Sequence, residues 1–188
     1  MKVTPLRQAD PRWSHTAIGD STVGRIGCLA TCLTMAHNAI YGDALGVHDA
    51  GSIITEPGGF NGNLTLVPGA AKALGLDATE KERIRGTRKT VPLDAGWKAR
   101  LAIDGGGLCI VHVDHGGGPE GDHFILGFGV DDGIQGDHIE DDMILCADPA
   151  PGTVVRLAES GLSGTSLWKN LTKHYVGVGI IPVYRSKS

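Results

Sequence analysis

Cys28 stands where a glycine-rich loop meets a predicted helix, a position that suits a nucleophile. Apolar residues after it recur at three- and four-residue steps, which predicts a helix from about Cys28 to Ile40. Unpaired N–H groups and the positive end of the helix dipole favour a thiolate in a first helical turn. Gly27 lacks a Cβ and allows close approach. The alternative is that Cys28 is a small, buried apolar residue.

A nucleophilic cysteine needs a base, and the base needs a third group that orients it. Among the eight histidines, His123 lies at the start of a predicted strand, directly after a loop. Asp148 ends a later predicted strand and precedes Pro149. It could accept the ring N–H of His123 and stabilise the imidazolium. The structural alternatives are a hydrogen-bonded core histidine and an aspartate that starts a turn.

A register hypothesis brings these two residues together. If Val130 pairs with Asp141 in an antiparallel hairpin, His123 lies opposite Asp148 on the same face. The same face would then carry Ile125 and Cys146 and would pack against the helix that begins at Cys28. A bulge in the hairpin would break this register.

Metal binding is an alternative for the same region, because histidine and carboxylate groups ligate zinc or iron. The spacing does not require these side chains to converge, and the acidic connection that follows lacks the pattern of a recognised calcium loop. A solvated hairpin tip is therefore expected there. The candidate zinc or iron ligands are His112, Asp114, His115, Asp122 and His123, and the acidic connection holds Asp131, Asp132, Asp137, Glu140, Asp141 and Asp142.

Predicted helices come first along the chain and predicted strands follow, which is typical of an α+β fold. The length fits a single domain over residues 1–188. Leu93, Trp97 and Leu101 are expected to form the buried stripe of one helix. The predicted helices are Cys28–Ile40, Val47–Ile54, Val67–Leu74, Leu93–Ile103 and Ser163–Leu171, and the predicted strands are Leu108–Val113, His123–Val130, Met143–Asp148, Thr153–Leu157 and Val176–Tyr184.

Composition excludes several classes of function. The formal net charge of −4 gives no electrostatic basis for binding nucleic acid. The sequence holds no apolar run long enough to span a membrane and no hydrophobic signal segment at its start. We therefore expect synthesis in the cytoplasm, with delivery outside, if it occurs, by a phage particle or another export route.

The four cysteines contain no C-x-x-C pair, so neither a zinc knuckle nor a redox motif is expected. Cys28 and Cys32 share one helix face, where a disulfide seldom fits. Cys109 and Cys146 are expected to be buried thiols, although a bridge between them remains an alternative.

Four segments together form a more specific pattern, and this pattern resembles the C39-like family of papain-type cysteine peptidases, in its stand-alone bacterial and phage branch. The resemblance implies a papain-like α+β fold, with the N-terminal helix packed on a mostly antiparallel sheet. It also implies that Cys28 is the nucleophile, His123 the base and Asp148 its orienting group. Gln8 would place its side-chain N–H in the oxyanion hole, beside the backbone N–H of Cys28. The four segments are Gln8–Trp13, Ile26–Met35, His123-Phe124 and Asp148-Pro149.

The resemblance further implies a cysteine hydrolase that needs no cofactor and cleaves amide bonds in peptides or cell-wall peptidoglycan. Cys32 stands where the family often has serine, one helical turn after the nucleophile. The family's transporter-linked members carry a membrane domain that this sequence lacks, so leader-peptide processing in an exporter is not expected. The alternative is a catalytically silent binding or structural module that keeps the fold, such as a component of a phage particle.

Overall fold

A computed structural model of the chain describes residues 1–56, 59–61, 64–65, 67–78, 84–85, 94–114, 123–131, 142–168 and 171–187. Within these residues the helices are α1 (Val23–Ile26), α2 (Cys28–Tyr41), α3 (Val47–Thr55), α4 (Val67–Ala73) and α5 (Ala95–Asp104). The strands within the same residues are β1 (Ala17–Ile18), β2 (Ser21–Thr22), β3 (Phe60–Asn61), β4 (Leu64–Thr65), β5 (Leu76–Asp77), β6 (Ile84–Arg85), β7 (Leu108–Asp114), β8 (His123–Asp131), β9 (Met143–Asp148), β10 (Thr153–Ala158), β11 (Ser163–Trp168) and β12 (Leu171–Arg185).

The long strands close into a six-stranded antiparallel barrel. Their order is β11-β10-β9-β8-β7-β12, and β12 pairs back onto β11. Closure reduces the exposed sheet edge, although β10 and β11 pair at only two positions among the described residues. The predicted α+β class and antiparallel pairing are therefore present, whereas the closure of the sheet was not predicted.

Two hydrophobic cores follow from the alternation of side chains along the strands. Cys109, Val111 and Val113 of β7 point into the barrel, while Leu108 and Ile110 point outward. The interior core also holds Ile125, Ile144, Cys146, Val155, Leu157, Tyr175 and Ile180, together with Ala95, Ala99 and Ala102 of α5.

Helix α2 packs against the outer face of the barrel, in the other core. Every residue from Leu29 to Ala36 is buried, and the Cys32 thiol donates a hydrogen bond to the Phe124 carbonyl at 3.4 Å. Leu126 and Ala147 belong to this outer core. The prediction that Ile125 and Cys146 face α2 is therefore wrong, because both lie in the barrel interior.

Two further predictions about elements are wrong. Residues 163–168 form strand β11 instead of a helix, since they pair with β12 along their whole length. On α5, Trp97 and Leu101 are 52% and 50% exposed, whereas Ala99 is buried. The helix presents its alanines to the interior core because it lies close to the barrel. The third predicted stripe residue, Leu93, lies outside the described residues.

Most helix and strand bounds agree with the sequence patterns to within a few residues. Helix α2 ends at Tyr41 and is followed by Gly42, whose φ of 68° is the left-handed conformation that glycine adopts readily. The last strand begins at Leu171, before the predicted start at Val176, because this segment pairs with β11. Among the described residues, no helix has the length and apolar character needed to cross a bilayer.

Candidate active site

Cys28 is the first residue of α2 and follows Gly27, as predicted. It is partly exposed, and all four cysteines are free. Burial raises the pKa of Cys109 to about 12 and raises the pKa values of Cys32 and Cys146 well above the usual thiol value. Cys28 is therefore the thiol that reagents and substrates can reach most readily.

The Gly27 position shows why glycine precedes this cysteine. A Cβ built on Gly27 would lie 2.4 Å from the backbone oxygen of Val23 and 2.7 Å from its Cα. Only glycine allows α1 to run directly into α2 without displacing backbone. This tight junction sets the position of the Cys28 sulfur at the N-terminal end of α2.

His123 bridges Cys28 and Asp148. It opens β8, is 3% exposed, and its Nε2–H donates to Asp148 Oδ1 at 2.8 Å. Cys28 also acts on this ring, because its hydrogen bonding and charge are among the causes that raise the pKa of His123. Burial alone would lower the pKa of His123, but the hydrogen bonds and charges of Asp148 and Cys28 outweigh it and raise the pKa to about 9.

Asp148 is fully buried and accepts hydrogen bonds on both carboxylate oxygens. Oδ1 accepts from His123 and from the Ala150 N–H at 2.9 Å, and Oδ2 accepts from Ser166 Oγ and Tyr175 Oη, each at 2.7 Å. Burial alone would raise the pKa of Asp148. The hydrogen bonds and the His123 charge outweigh burial and hold the pKa below its usual value.

The contact between His123 and Asp148 arises from a different register than the one predicted. Val130 pairs with Ile144 instead of Asp141, and a bulge lies between Gly127 and Gly129. Extending the observed pairing of Leu126 with Ala147 by one residue puts Asp148 opposite Ile125. Asp148 is thus two residues from the position opposite His123, and a shift of two keeps both side chains on one face.

Gln8 lies between the segments that carry Cys28 and Asp148. Its backbone N–H donates to the Pro149 carbonyl at 2.8 Å, and its Nε2 donates to the Gly24 carbonyl at 3.3 Å. The side chain is 8% exposed, and Oε1 has no hydrogen-bond partner among the described residues. Trp13 anchors the same N-terminal arm, because it is buried and its Nε1 donates to the Arg7 carbonyl at 2.9 Å.

The chain matches no protein-family model and no curated protein. The geometry around His123 therefore has to support any assignment of function by itself.

The metal alternative gains no support from the part of the chain that the structure describes. His112 pairs with Phe124 and stacks on its ring at a centroid distance of 4.3 Å, while Val113 pairs with His123. Neighbouring residues of a strand point to opposite faces, so His112 and His123 diverge. No group of three or more metal-ligating side chains converges among the described residues, and His115 and Asp122 lie outside them.

Most of the acidic connection, residues 132–141, also lies outside the described residues. Its two ends are ion-paired. Asp131 accepts a hydrogen bond from Arg156 at 3.1 Å, and Asp142 accepts one from Arg100.

Ser166 and Tyr175 are the site residues that the sequence reading missed. They lie on β11 and β12, whereas Asp148 ends β9. A helix predicted over Ser163–Leu171 gave no reason to bring Ser166 near Asp148. Pairing of residues 163–168 with β12 is the feature that would have pointed to Ser166 and Tyr175.

Proposed function

We propose that the protein is a cysteine hydrolase that cleaves amide bonds through Cys28, His123 and Asp148. The observation that carries this proposal is the buried His123 ring, which donates a hydrogen bond to the Asp148 carboxylate and whose pKa is raised in part by Cys28. A nucleophile, a base and an orienting acceptor in one chain of contacts form the arrangement that nucleophilic acyl transfer needs. Cys28, His123 and Asp148, which are far apart in sequence, would supply the nucleophile, the base and the orienting acceptor respectively.

In this mechanism His123, whose pKa is raised to about 9, already holds the Cys28 proton, and the Cys28 thiolate attacks the carbonyl carbon of the amide. The tetrahedral intermediate collapses as His123 donates that proton to the leaving amine, which gives a thioester on Cys28. Water then attacks the thioester with His123 as base, and the carboxylic acid and free thiol are released. Asp148 keeps the ring in the required orientation and stabilises the imidazolium through both steps.

The oxyanion would be held by the Cys28 backbone N–H and by Gln8. An N–H in the first turn of a helix has no partner within that helix. Gln8 Nε2 carries two N–H groups, and the bond to Gly24 uses one of them. One preorganised donor of this kind contributes ~3 kcal/mol of transition-state stabilisation.

The closed antiparallel barrel with α2 packed outside it supports a papain-like fold of the C39-like kind, as the resemblance of the four segments suggests. We infer peptides or peptidoglycan cross-bridges as the substrate class, since both contain the amide bond that this chemistry cleaves. Without turnover, the protein would be a silent module that keeps the fold.

Incubation with purified peptidoglycan and with a peptide library, with products analysed by mass, tests the proposal. We expect cleavage by the wild type, and loss of cleavage by at least about 10³-fold in Cys28→Ala and His123→Ala. Cys146→Ala, which removes a buried barrel thiol, is the matched control and should retain cleavage. No cleavage by the wild type, or no reactive thiol at all, would favour the silent module, and equal cleavage by wild type and Cys28→Ala would overturn the role of Cys28.

A further inference from the structure

Two hydroxyl groups converge on the side of the Asp148 carboxylate that faces away from His123. Ser166 Oγ and Tyr175 Oη each lie 2.7 Å from Oδ2. Both residues are buried, at 4% and 1% exposure. We refer to these two side chains as the hydroxyl pair.

The donors around Asp148 suit an ionised carboxylate. The Ala150 N–H can only donate, and it donates to Oδ1 beside the ring of His123. The hydroxyl pair donates to Oδ2 when that oxygen carries negative charge. Protonation of Asp148 would add a fifth donor to a carboxyl group whose acceptor positions already receive four hydrogen bonds.

The same contacts fix the plane of the carboxylate. Rotation of the group would break the bonds at Oδ2 and carry Oδ1 away from His123 Nε2. Tyr175 adds a second constraint, because its ring lies tilted against the imidazole at a centroid distance of 5.9 Å. The hydroxyl pair comes from β11 and β12, so the orientation of His123 depends on strands that contribute none of the three proposed catalytic groups.

We propose that Ser166 and Tyr175 are positioning residues that keep Asp148 ionised and fixed in plane against His123. This rests on the proposed hydrolase function for its catalytic meaning, although the effect on Asp148 can be measured without turnover. Neither residue forms a bond with substrate in this scheme. They act through Asp148 on the base, and through the base on Cys28. Their hydrogen bonds are among the causes that lower the pKa of Asp148.

The decisive measurement is the titration of the Asp148 carboxyl carbon by NMR in protein with ¹³C-labelled aspartate, with the signal assigned through Asp148→Asn. In the double variant Ser166→Ala with Tyr175→Phe, we expect the titration midpoint to rise by about one pH unit or more. The rate of Cys28 alkylation by iodoacetamide falls at acid pH, and in the double variant this fall should begin at a correspondingly higher pH. Tyr175→Phe alone, which removes a single oxygen atom, should show a smaller shift in the same direction.

Two variants serve as controls. Tyr41→Phe removes a phenol hydrogen bond of similar length, to the Gly75 carbonyl at 2.6 Å, without involving Asp148. Ser166→Thr keeps the hydroxyl group. Both should retain the wild-type midpoint.

The outcomes separate this proposal from the hydrolase proposal. An unchanged Asp148 titration in the double variant, with only a lower alkylation rate, overturns the positioning role. A wild-type Cys28 that reacts slowly with iodoacetamide and is insensitive to His123→Ala overturns the hydrolase proposal. The NMR titration still decides the positioning role in that case.

Discussion

At the scale of single residues, the site combines a buried base with a buried anion. His123 and Asp148 are 3% and 0% exposed, so neither charge is solvated by bulk water. Each charge is instead stabilised by the other and by fixed donors, which compensates for desolvation. The ion pair between His123 and Asp148 therefore contributes to the free energy of unfolding.

This connection predicts how stability depends on pH. The pKa of His123 is raised from 6.5 to about 9, so its contribution is fully present below pH 6.5 and is lost as pH rises through about 9. We expect the free energy of unfolding to fall across this window, with a slope of up to about 1.4 kcal/mol per pH unit from this group. Chemical denaturation at a series of pH values measures the slope.

His123→Gln should remove this contribution and flatten the dependence. His48→Gln replaces an exposed histidine that contacts Thr16 at 2.8 Å and should keep the wild-type slope. The same slope in both variants would mean that His123 is not charged in the folded protein near neutral pH.

Residue type together with position at the ends of predicted elements pointed to Cys28, His123 and Asp148 among the four cysteines, eight histidines and many carboxylates. Gln8 was suggested by resemblance to a family pattern. Ser166 and Tyr175 could not be found in this way, since serine and tyrosine hydroxyls have many ordinary roles. Their importance depends on strand pairing that local sequence does not specify.

At the scale of elements, α2 illustrates a pattern that the sequence specifies well. The spacing of its apolar residues indicates a helix, and Gly27 and Gly42 mark its two ends. β11 illustrates the opposite case, because a short helix was predicted over Ser163–Leu171 and the segment instead pairs with β12. α5 was misjudged for a related reason. A Cβ on its Gly96 would lie 1.9 Å from the Glu159 carbonyl oxygen, so the helix is too close to the barrel for large side chains.

The α1–α2 junction gives a prediction at this scale. Gly27→Ala would force its Cβ against the Val23 backbone at 2.4 Å, and we expect a loss of about 1–3 kcal/mol in unfolding free energy. The displaced helix start should also slow Cys28 alkylation. Gly46→Ala is the control, since its nearest atom is Asp49 Oδ2 at 3.4 Å and its φ is −77°. Equal stability of the two variants by denaturant unfolding would contradict the close approach.

At the scale of the whole molecule, the barrel brings distant segments to one end. β8 begins with His123 and β9 ends with Asp148, so antiparallel pairing puts them together at the same rim. The antiparallel arrangement was predicted, with a bulge named as what would break the predicted register. The bulge between Gly127 and Gly129 changes the register by one residue. The closure of the sheet depends on the long-range pairing of β12 with β7, which has no local signature.

Closure of the barrel depends on a close approach at Gly164. A Cβ there would lie 2.2 Å from the Arg156 carbonyl oxygen and 2.9 Å from Leu157 Cδ2. Gly164→Ala should therefore separate β10 from β11 and reduce unfolding free energy by about 1–3 kcal/mol. At Gly161 the nearest atom is Ser163 Oγ at 3.8 Å, so Gly161→Ala should change little. If denaturant unfolding shows both variants to be as stable as wild type, the barrel does not require contact at this point.

The pairing of β10 with β11 covers only Leu157 with Gly164 and Ala158 with Ser163. Ser166 lies two residues beyond the last of these pairs on β11. Local opening of a structure begins where fewest interactions hold it. We therefore expect mild warming to separate Ser166 from Asp148 while α2 and its core remain intact, so that the surroundings of Asp148 change before the molecule melts.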